Sequence, residues 1–215
     1  MRRTRAARRA PAPALAPSAR RIVVGLTGAS GAIYGLRLLR FLLMGGARVE
    51  VVVSTSGLRL LKDEAGYRGE AFGEYLRRLY GGEIAPGTLV QHRWADIGAP
   101  IASGSVRTDG MVVAPCSMGT LSGIVTGRAS NLIERAADVT LKEGRPLVLV
   151  PRETPLNRIH VENMRRALDS GIHLVPAMPA FYFGPRTIED LADFVVGRAV
   201  ALLGFEHHLF RPWAE

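Results

Sequence analysis

The segment RIVVGLTGASGAIYGLRLLRFLLMGG, residues 21–46, predicts a complete strand–turn–helix unit. Its first six residues form a largely β-branched, apolar run, which is typical of a strand buried on both faces. After the turn, Ile33, Leu36 and Leu39 recur at helical spacing and predict one apolar helix face, which a pair of glycines ends. The small residues of the turn let the backbone approach a ligand closely, and the helix N-terminus offers unpaired N–H groups to a phosphate. A tight turn with a purely structural role is the alternative.

The same alternation of strands and helices continues along the chain. Further strands are predicted at residues 48–54, 111–114, 147–150 and 173–176, with a weaker one at 89–93. Helices are predicted at residues 31–44, 56–64, 71–80, 157–170 and 187–203, with another helical segment after residue 122. Strands that alternate with helices form right-handed βαβ units, so we expect an α/β fold with three layers and a doubly wound, mostly parallel sheet.

Composition limits the class of protein. The chain has 215 residues, of which 47% are apolar, enough for one large domain with its own core. No apolar run approaches the roughly 20 residues that span a bilayer, which predicts a protein without a membrane span. The single cysteine, Cys116, can form neither an internal disulfide nor a Cys-rich zinc site, and it favours a reducing, cytoplasmic location.

The positive charge is concentrated at the N-terminus. The formal net charge is +9, but seven arginines and no acidic residue occur among the first 21 residues, which leaves +2 for the rest. We predict a disordered extension over residues 1–20, rich in Arg, Ala and Pro, followed by a single domain over residues 21–215. An organelle transit peptide and a nucleic-acid-binding tail are alternatives for the extension.

Small and hydroxyl-bearing residues follow three predicted strands. The first group is the turn at residues 27–32, which includes Ser30, and the second is the loop PCSMGTLS at residues 115–122. Two such loops at one sheet edge can bind one ligand from two sides. Ser54, at the end of another strand, either joins this site or only caps the next helix. For Cys116 we favour a small buried side chain over an activated thiol.

Charged and aromatic candidates lie after later strands. Arg152 can bind phosphate oxygens, and Glu153 can transfer a proton, because both follow a buried strand directly. Lys142 either adds a cation to the site or is an exposed, solubilising charge. Tyr182 is in an aromatic loop near another strand end, and Arg198 on the last helix either reaches the site or only extends its charge to water.

The segment NLIERAADV, residues 131–139, combines an amide, an acid and an arginine near a helix start. Taken alone, it predicts a surface ion pair of Arg135 with Glu134 or Asp138. The five histidines have no metal-like spacing, so no metal site is predicted.

Taken together, these motifs resemble the UbiX/Pad type of flavin prenyltransferase, within the wider flavoproteins that include cysteine decarboxylases. The resemblance extends from residue 21 to residue 213. Its main segments are TGASGAIYGLRLL, VVVSTSG, PIASGS, APCSMGTLSGIVTG, NLIERAADVTLKEGRPLVLVPRETPLN, IHVENM, PAMPAFYFGPRTIEDLADFVVGR and RPW. The fifth and seventh segments point to the prenyltransferase branch, whereas the GASG turn is shared more broadly.

The resemblance implies a Rossmann- or flavodoxin-like fold and a specific reaction. A dimethylallyl group from dimethylallyl phosphate is joined to N5 and C6 of reduced FMN, without a metal, and the prenylated FMN serves a UbiD-type decarboxylase, as in ubiquinone biosynthesis. A homo-oligomer, a dodecamer, is also implied. The residues implied to surround FMN are Gly28, Ala29, Ser30, Ser54, Ser103, Ser117, Met118, Gly119, Thr120 and Arg135. Those implied to bind the dimethylallyl phosphate are Lys142, Arg152, Glu153, Tyr182 and Arg198.

The resemblance also implies catalytic roles for Glu64, Glu153, Lys142 and Trp213. Cations would stabilise the leaving phosphate in place of magnesium, and Glu153 would protonate it. The Trp213 ring would favour the allyl cation, and Glu64 or Glu153 would remove a flavin proton. Trp94 receives no role, because the spacing before residue 102 differs from the family pattern. We expect the whole set to meet over one edge of the sheet.

Three other functions stay open from the sequence. The first is an FMN-dependent oxidative decarboxylase of the related cysteine decarboxylase branch. Such an enzyme would not need Arg152, Arg198 and Lys142 to bind the phosphate of a prenyl donor. The second is a carrier that binds and delivers FMN without changing it. The third is nucleic-acid binding through the basic extension, which would be sensitive to salt.

Overall fold

A computed structural model describes residues 19–81 and 89–213. The strands are β1 (Arg21–Leu26), β2 (Arg48–Val53), β3 (Leu89–His92), β4 (Gly110–Cys116), β5 (Leu147–Pro151) and β6 (His173–Leu174). The helices are α1 (Ala32–Met44), α2 (Thr55–Ala65), α3 (Phe72–Tyr80), α4 (Met118–Val125), α5 (Leu132–Lys142), α6 (Arg158–Asp169) and α7 (Ile188–Leu202). The predicted extension at residues 1–20 lies outside the described residues except for its last two.

The six strands form one parallel sheet in the order β3-β2-β1-β4-β5-β6. Strand order reverses between β1 and β4, which are direct neighbours although β2 and β3 come between them in sequence. In such sheets ligands bind outside the carboxyl ends of the strands, at the point of reversal. The predicted doubly wound α/β fold is therefore confirmed, and the GASG turn follows one of the two strands at that point.

Two apolar clusters lie on opposite faces of the sheet, so the domain has three layers. On one face α1, α2, α3 and α7 pack against alternate strand residues such as Val24, Val51 and Val112. On the other face α4, α5 and α6 pack against the intervening residues, such as Val23 and Val113. This arrangement explains why β1 contains hydrophobic residues at consecutive positions, since both of its faces are covered.

The ends of β4 and β6 each differ from the sequence prediction by two residues, and other strand ends differ by one at most. β4 continues through Pro115 to Cys116, where the prediction stopped it at residue 114. Its pairing with β5 is irregular between Val113 and Cys116, and proline is tolerated at such a position because no regular ladder bond is lost. β6 is short, because only His173 and Leu174 pair with β5, where the prediction extended the strand to residue 176.

Within residues 19–81 and 89–213, no helix is both long and apolar enough to cross a membrane. The same part of the chain contains no cluster of three or more His, Cys, Asp or Glu side chains that would suit a metal ion.

Candidate functional site

Thr27 joins the two strand ends at the point where strand order reverses. Its hydroxyl donates a hydrogen bond to the Pro115 carbonyl at 2.8 Å and accepts one from the Ser117 amide at 2.8 Å. Its own amide donates to the same carbonyl at 3.2 Å. Thr27 is 2% exposed, so these bonds are shielded from water and fix the two predicted ligand loops relative to each other.

Between these loops lies a cavity of about 230 Å³, which we call the carboxyl-edge cavity. Hydroxyl, amide and small side chains form most of its wall, and charge comes from one arginine and one glutamate. The lining residues are Gly28, Ser54, Ser56, Trp94, Ser117, Gly119, Thr120, Arg128, Asn131 and Glu134. The cavity therefore brings together five of the predicted FMN-binding residues, which come from the ends of β1, β2 and β4.

Three lining residues also cap helices. Ser54 accepts a hydrogen bond from the Gly57 amide at the start of α2, and Ser117 accepts one from the Thr120 amide at the start of α4. Asn131 caps α5 in the same way. Ser54 is thus both a helix cap and a cavity residue, so the two interpretations from the sequence hold together. Helix starts that converge on one cavity direct partial positive charge into it.

Close packing at the GASG turn depends on Gly28. A Cβ atom at this position would overlap the Cβ of Ser56, so any side chain would separate the turn from α2. The next residue, Ala29, is buried, and Ser30 is exposed. Gly31 has φ of 111°, in the left-handed region, and a Cβ atom there would lie 2.8 Å from the ring of Tyr34.

Glu64 occupies the N-terminus of α1. Its carboxylate accepts hydrogen bonds from the amides of Gly31 at 2.9 Å and Ala32 at 2.8 Å, and from the Ser30 hydroxyl. Desolvation raises the pKa of Glu64, but these hydrogen bonds and the nearby Arg152 outweigh it, so the net pKa is lowered. The N–H groups that the sequence assigned to a phosphate are therefore used by a carboxylate of the chain itself.

Arg152 lies beside this cluster with an unsatisfied donor. Its backbone amide bonds to the Cys116 carbonyl, and its charge acts on both Tyr34 and Glu64. The Nε atom of Arg152 is buried and has no hydrogen-bond partner among the described residues. Buried donors are normally paired, so this position suits an anionic ligand. The adjacent Glu153 accepts a bond from the Thr154 amide at 3.1 Å.

Three other predicted residues meet at a second cavity, of about 550 Å³, which we call the α7–tail cavity. It lies between α7 and residues 205–213, and Tyr182, Arg198 and Trp213 line it. The rings of Tyr182 and Trp213 are 5.0 Å apart in an edge-on arrangement, and Trp213 is 74% exposed. Gly197 lets the tail lie against the helix, since a Cβ there would lie 2.6 Å from the Phe210 ring.

The remaining predicted residues lie elsewhere in the chain. Lys142 is in the last turn of α5, at the amino edge of the sheet, 3.4 Å from Glu143. Ser103 is near it, because the Gly104 carbonyl accepts a bond from Arg145 at the same end. Arg135 makes the surface pair with Asp138, at 2.7 Å, that its local sequence predicts. Its side chain is outside the lining of the carboxyl-edge cavity.

The expectation that all site residues meet over one sheet edge is therefore wrong for a single chain. Helix α5 runs opposite to the strands, which carries Lys142 to the far edge. Arg198 lies in the second half of α7, and Leu203, just after that helix, packs beside Gly110 at the start of β4. Both side chains are exposed and open to contact from outside the protomer.

Cys116 is buried in the apolar cluster on the face of the sheet that α4, α5 and α6 cover, and burial raises the pKa of its thiol. The prediction of an inert, core cysteine is confirmed. Trp94, Arg128, Asn131 and Glu134 line the carboxyl-edge cavity without having been predicted there. Asn131 carries a recognisable capping signal, because it precedes an apolar periodic run.

Sequence comparison relates the chain to flavin enzymes. The family model described as Flavoprotein matches residues 14–200. The chain is 48% identical over 192 residues to the flavin prenyltransferase UbiX of Halalkalibacterium halodurans, which covers 89% of this chain and 92% of that protein. It is 44% identical over 199 residues to the UbiX of Pseudomonas aeruginosa, which covers 91% of this chain and 94% of the relative.

Solved structures agree with this relationship. The AnUbiX complex with FMN and dimethylallyl pyrophosphate superposes with a TM-score of 0.82 at 41% identity, over 92% of this chain and 98% of that one. A dodecameric FMN-dependent UbiX-like decarboxylase from Escherichia coli O157:H7 superposes with a TM-score of 0.80 at 43% identity, over 91% and 100%. The FMN-dependent cysteine decarboxylase TvaF shares the fold alone, with a TM-score of 0.54 at 14% identity over 86% of this chain and 99% of that one.

Proposed function

This chain belongs to the flavoprotein family, among its UbiX flavin prenyltransferases, and we propose that it joins a dimethylallyl group to N5 and C6 of reduced FMN. The proposal is carried by a small, hydroxyl-lined cavity at the strand reversal, together with the buried Nε of Arg152, which has no hydrogen-bond partner among the described residues. The first set of groups suits a flavin nucleotide and the second suits the phosphate of a prenyl donor.

The carboxyl-edge cavity would hold part of FMN. Gly28, Ser117 and Thr120 offer close backbone approach and hydroxyl groups, and the clash of a Cβ at position 28 with Ser56 fits a backbone that must stay close to a ligand. Ligand sites are usually about 300–1,000 Å³. At about 230 Å³ the cavity is smaller, so the rest of the flavin would lie beyond its mouth. We keep Ala29, Ser30, Met118 and Gly119 in the proposed flavin set.

Neighbouring copies of the chain would complete the donor site. Lys142, Ser103 and Arg135 lie on exposed parts of one protomer, away from Arg152, and Tyr182, Arg198 and Trp213 line a separate cavity. A homo-oligomer can bring such groups to one site, and the Escherichia coli relative is dodecameric. We therefore propose an oligomer, with a dodecamer as the specific form.

The chain's residues would carry out charge and proton handling. Reduced FMN would supply the nucleophilic N5 and C6 positions. The allylic C–O bond of the donor breaks, and the phosphate leaves with the bonding electron pair. Arg152, with Lys142 and Arg198 from other copies, would stabilise that anion, while Glu153 would protonate it.

The carboxylate of Glu64 and the ring of Trp213 would act on the organic part of the reaction. Glu64, whose pKa is lowered, is ionised at neutral pH and so has a carboxylate that can accept a proton. The exposed face of Trp213 would stabilise developing positive charge on the five-carbon group by a cation–π interaction.

A mass measurement tests the proposal. Purified protein is incubated anaerobically with reduced FMN and dimethylallyl phosphate, and in a parallel sample with the pyrophosphate that the AnUbiX complex contains. The flavin should gain the mass of one C₅H₈ unit, and the donor should release an equal amount of phosphate or pyrophosphate. An unchanged flavin mass with both donors would refute the transferase.

Oxidative decarboxylation is the second candidate, since the Escherichia coli relative is called a UbiX-like decarboxylase. It predicts loss of CO₂ from a peptide with a C-terminal cysteine and reduction of FMN, without any need for a prenyl donor. Oxidised FMN that becomes reduced as CO₂ is released, without gaining a C₅H₈ unit, would favour it. Delivery of the product to a UbiD-type decarboxylase, a place in ubiquinone biosynthesis and a cytoplasmic location also remain proposals.

A further inference from the structure

We propose that Arg128 binds the terminal phosphate of FMN in the carboxyl-edge cavity and so makes the protein prefer FMN over riboflavin. This inference rests on the proposed function and adds a residue that the sequence motifs do not assign. Arg128 supplies the cavity's positive side chain, and the hydroxyl-bearing residues Ser54, Ser117 and Thr120 line the same cavity. Hydroxyls and a guanidinium are the groups that bind phosphate oxygens in proteins.

The loop after α4 directs Arg128 back towards the cavity. Gly127 and Ala129 on either side of it have φ of 65° and 50°, both in the left-handed region. A non-glycine residue rarely adopts this conformation, and such positions concentrate at ligand sites. The amide of Arg128 also bonds to the Gly123 carbonyl at 3.0 Å, so the turn closes against the end of α4.

Glu134 holds the guanidinium of Arg128 in place. Its carboxylate accepts bonds from Nε of Arg128 at 3.2 Å and from Nη2 at 2.5 Å, and further bonds from the amide and hydroxyl of Ser130. The Glu134 side chain is 1% exposed, whereas that of Arg128 is 56% exposed. Within the described residues, no acceptor bonds to Nη1 of Arg128. Glu134 is thus a positioning residue, and Nη1 of the half-exposed guanidinium stays available to a ligand.

Gly123 allows this pair to pack against α4. A Cβ at Gly123 would overlap the Glu134 carboxylate and lie 2.8 Å from Nη2 of Arg128. The orientation of Arg128 is therefore fixed by one helix, one buried acid and one turn before a ligand arrives. A cation that is already ordered loses less entropy on binding than a free side chain does.

The other phosphate position at this edge is taken. The amides of Gly31 and Ala32 at the start of α1 donate to Glu64, whose negative charge would repel a phosphate there. Arg152 is on the same side as Glu64, which lowers the net positive charge of that region. A phosphate dianion is therefore favoured beside Arg128, where the one acid, Glu134, is already satisfied by four hydrogen bonds.

Paired titrations with FMN and riboflavin test the proposal. The two flavins differ by the phosphate alone, so their affinity ratio isolates the contacts to that group. Wild-type protein and the variants Arg128→Gln and Arg128→Lys are titrated with each flavin, and quenching of flavin fluorescence is measured. Arg128→Gln should weaken FMN binding about ten- to a hundredfold while riboflavin affinity is unchanged, and Arg128→Lys should give an intermediate loss.

A matched control is Arg59→Gln, which removes an equal charge from the exposed face of α2, where Arg59 pairs with Asp63. It should leave both affinities as in the wild type. Equal weakening of FMN and riboflavin in Arg128→Gln, or no weakening, would overturn the role in phosphate binding. If the wild type itself fails to bind FMN, the proposed function fails instead, so the two failures are distinguishable. Should Arg128→Gln not fold, the Arg128→Lys ratio decides alone.

Discussion

Three residues that cap helices line the carboxyl-edge cavity, whereas the α7–tail cavity is lined mostly by partly or fully exposed residues without helix or strand, with Arg198 and Ala201 of α7 on one side. Ser54, Ser117 and Asn131 are fixed by bonds to backbone amides, while Trp213 is 74% exposed. The difference indicates that one chain preorganises its flavin side by itself. Under the proposed function, the donor side would take its final form only against other copies of the chain.

We expect the largest effect from removing Arg152, because its guanidinium would stabilise the leaving phosphate while the flavin cavity stays intact. In Arg152→Ala the prenylation rate should fall about a hundredfold or more, since a donor to the leaving phosphate is lost. Affinity for FMN should be retained. Rates from mass spectrometry and affinities from fluorescence titration check both statements.

The control is Arg158→Ala, which removes an exposed arginine from the first turn of α6, after the same strand. It should turn over at the wild-type rate. Full turnover in Arg152→Ala would show that no essential phosphate contact is made by this residue.

Weakening the link between β1 and β4 tests whether the flavin cavity is built by the fold. Thr27→Val keeps the side-chain shape but removes a buried hydroxyl that both donates and accepts a hydrogen bond. The free energy of unfolding should fall by about 1–3 kcal/mol, as measured in urea. Thr126→Val, at the exposed end of α4, is the matched control and should change little. A value for Thr27→Val as small as the control's would mean that the strand ends do not depend on this bond.

The two tryptophans offer the sharpest contrast between the cavities. Trp94→Ala should weaken FMN binding, whereas Trp213→Ala should leave FMN affinity unchanged and slow prenylation about tenfold through loss of a cation–π contact. Steady-state rates and flavin titrations on both variants give the two readouts. The same loss of FMN affinity in both would contradict a division of roles.

The smallest effect concerns pH and Glu134. Desolvation raises the pKa of this carboxyl, but hydrogen bonds from Arg128 and Ser130 outweigh that effect and lower the net pKa to about 2. A lowered folded-state pKa adds stability above the unfolded-state pKa of about 4.5, and this stability is lost as pH falls towards 2. Since the Arg128 partner is half exposed, solvent screens the pair, and we expect about 1 kcal/mol.

Urea titrations between these pH values measure the contribution of Glu134 to the free energy of unfolding. The free energy of unfolding of the wild type should decrease more steeply with falling pH than that of Glu134→Gln, which has no titrating group at this position. Parallel pH profiles for the two proteins would be inconsistent with a strongly lowered pKa.

The sequence predicted the sheet and the flavin-side hydroxyls well because their signals are local. Apolar runs with turns between them located β1, β2, β4 and β5, and strand ends located Ser54 and Ser117. The Arg128–Glu134 pair escaped prediction because it depends on two left-handed turn residues, one of which is an alanine. No composition rule requires alanine to adopt that conformation.

Positions across the sheet were harder to predict than positions along the chain. Lys142 precedes a strand, so the helix that carries it ends at the amino edge, and this inference was available from the order of elements alone. The use of the α1 amides by Glu64 was not available, because Glu64 is 33 residues away from Gly31 and reaches it only after α2 has packed. Long-range pairings of this kind depend on tertiary structure.

Gly197 has a consequence for how such an enzyme can diverge. The final nine described residues make no sheet pairing and attach to α7 by ring contacts across this glycine. Phe205 and Leu209 also pack against the core, but the rest of the wall against which the prenyl chain would lie is outside the core cluster. Substitutions in that wall therefore change the volume available to the donor with little effect on the stability of the fold. Selection for a longer or shorter isoprenoid can act on this short appendage, while the flavin half of the molecule stays as it is.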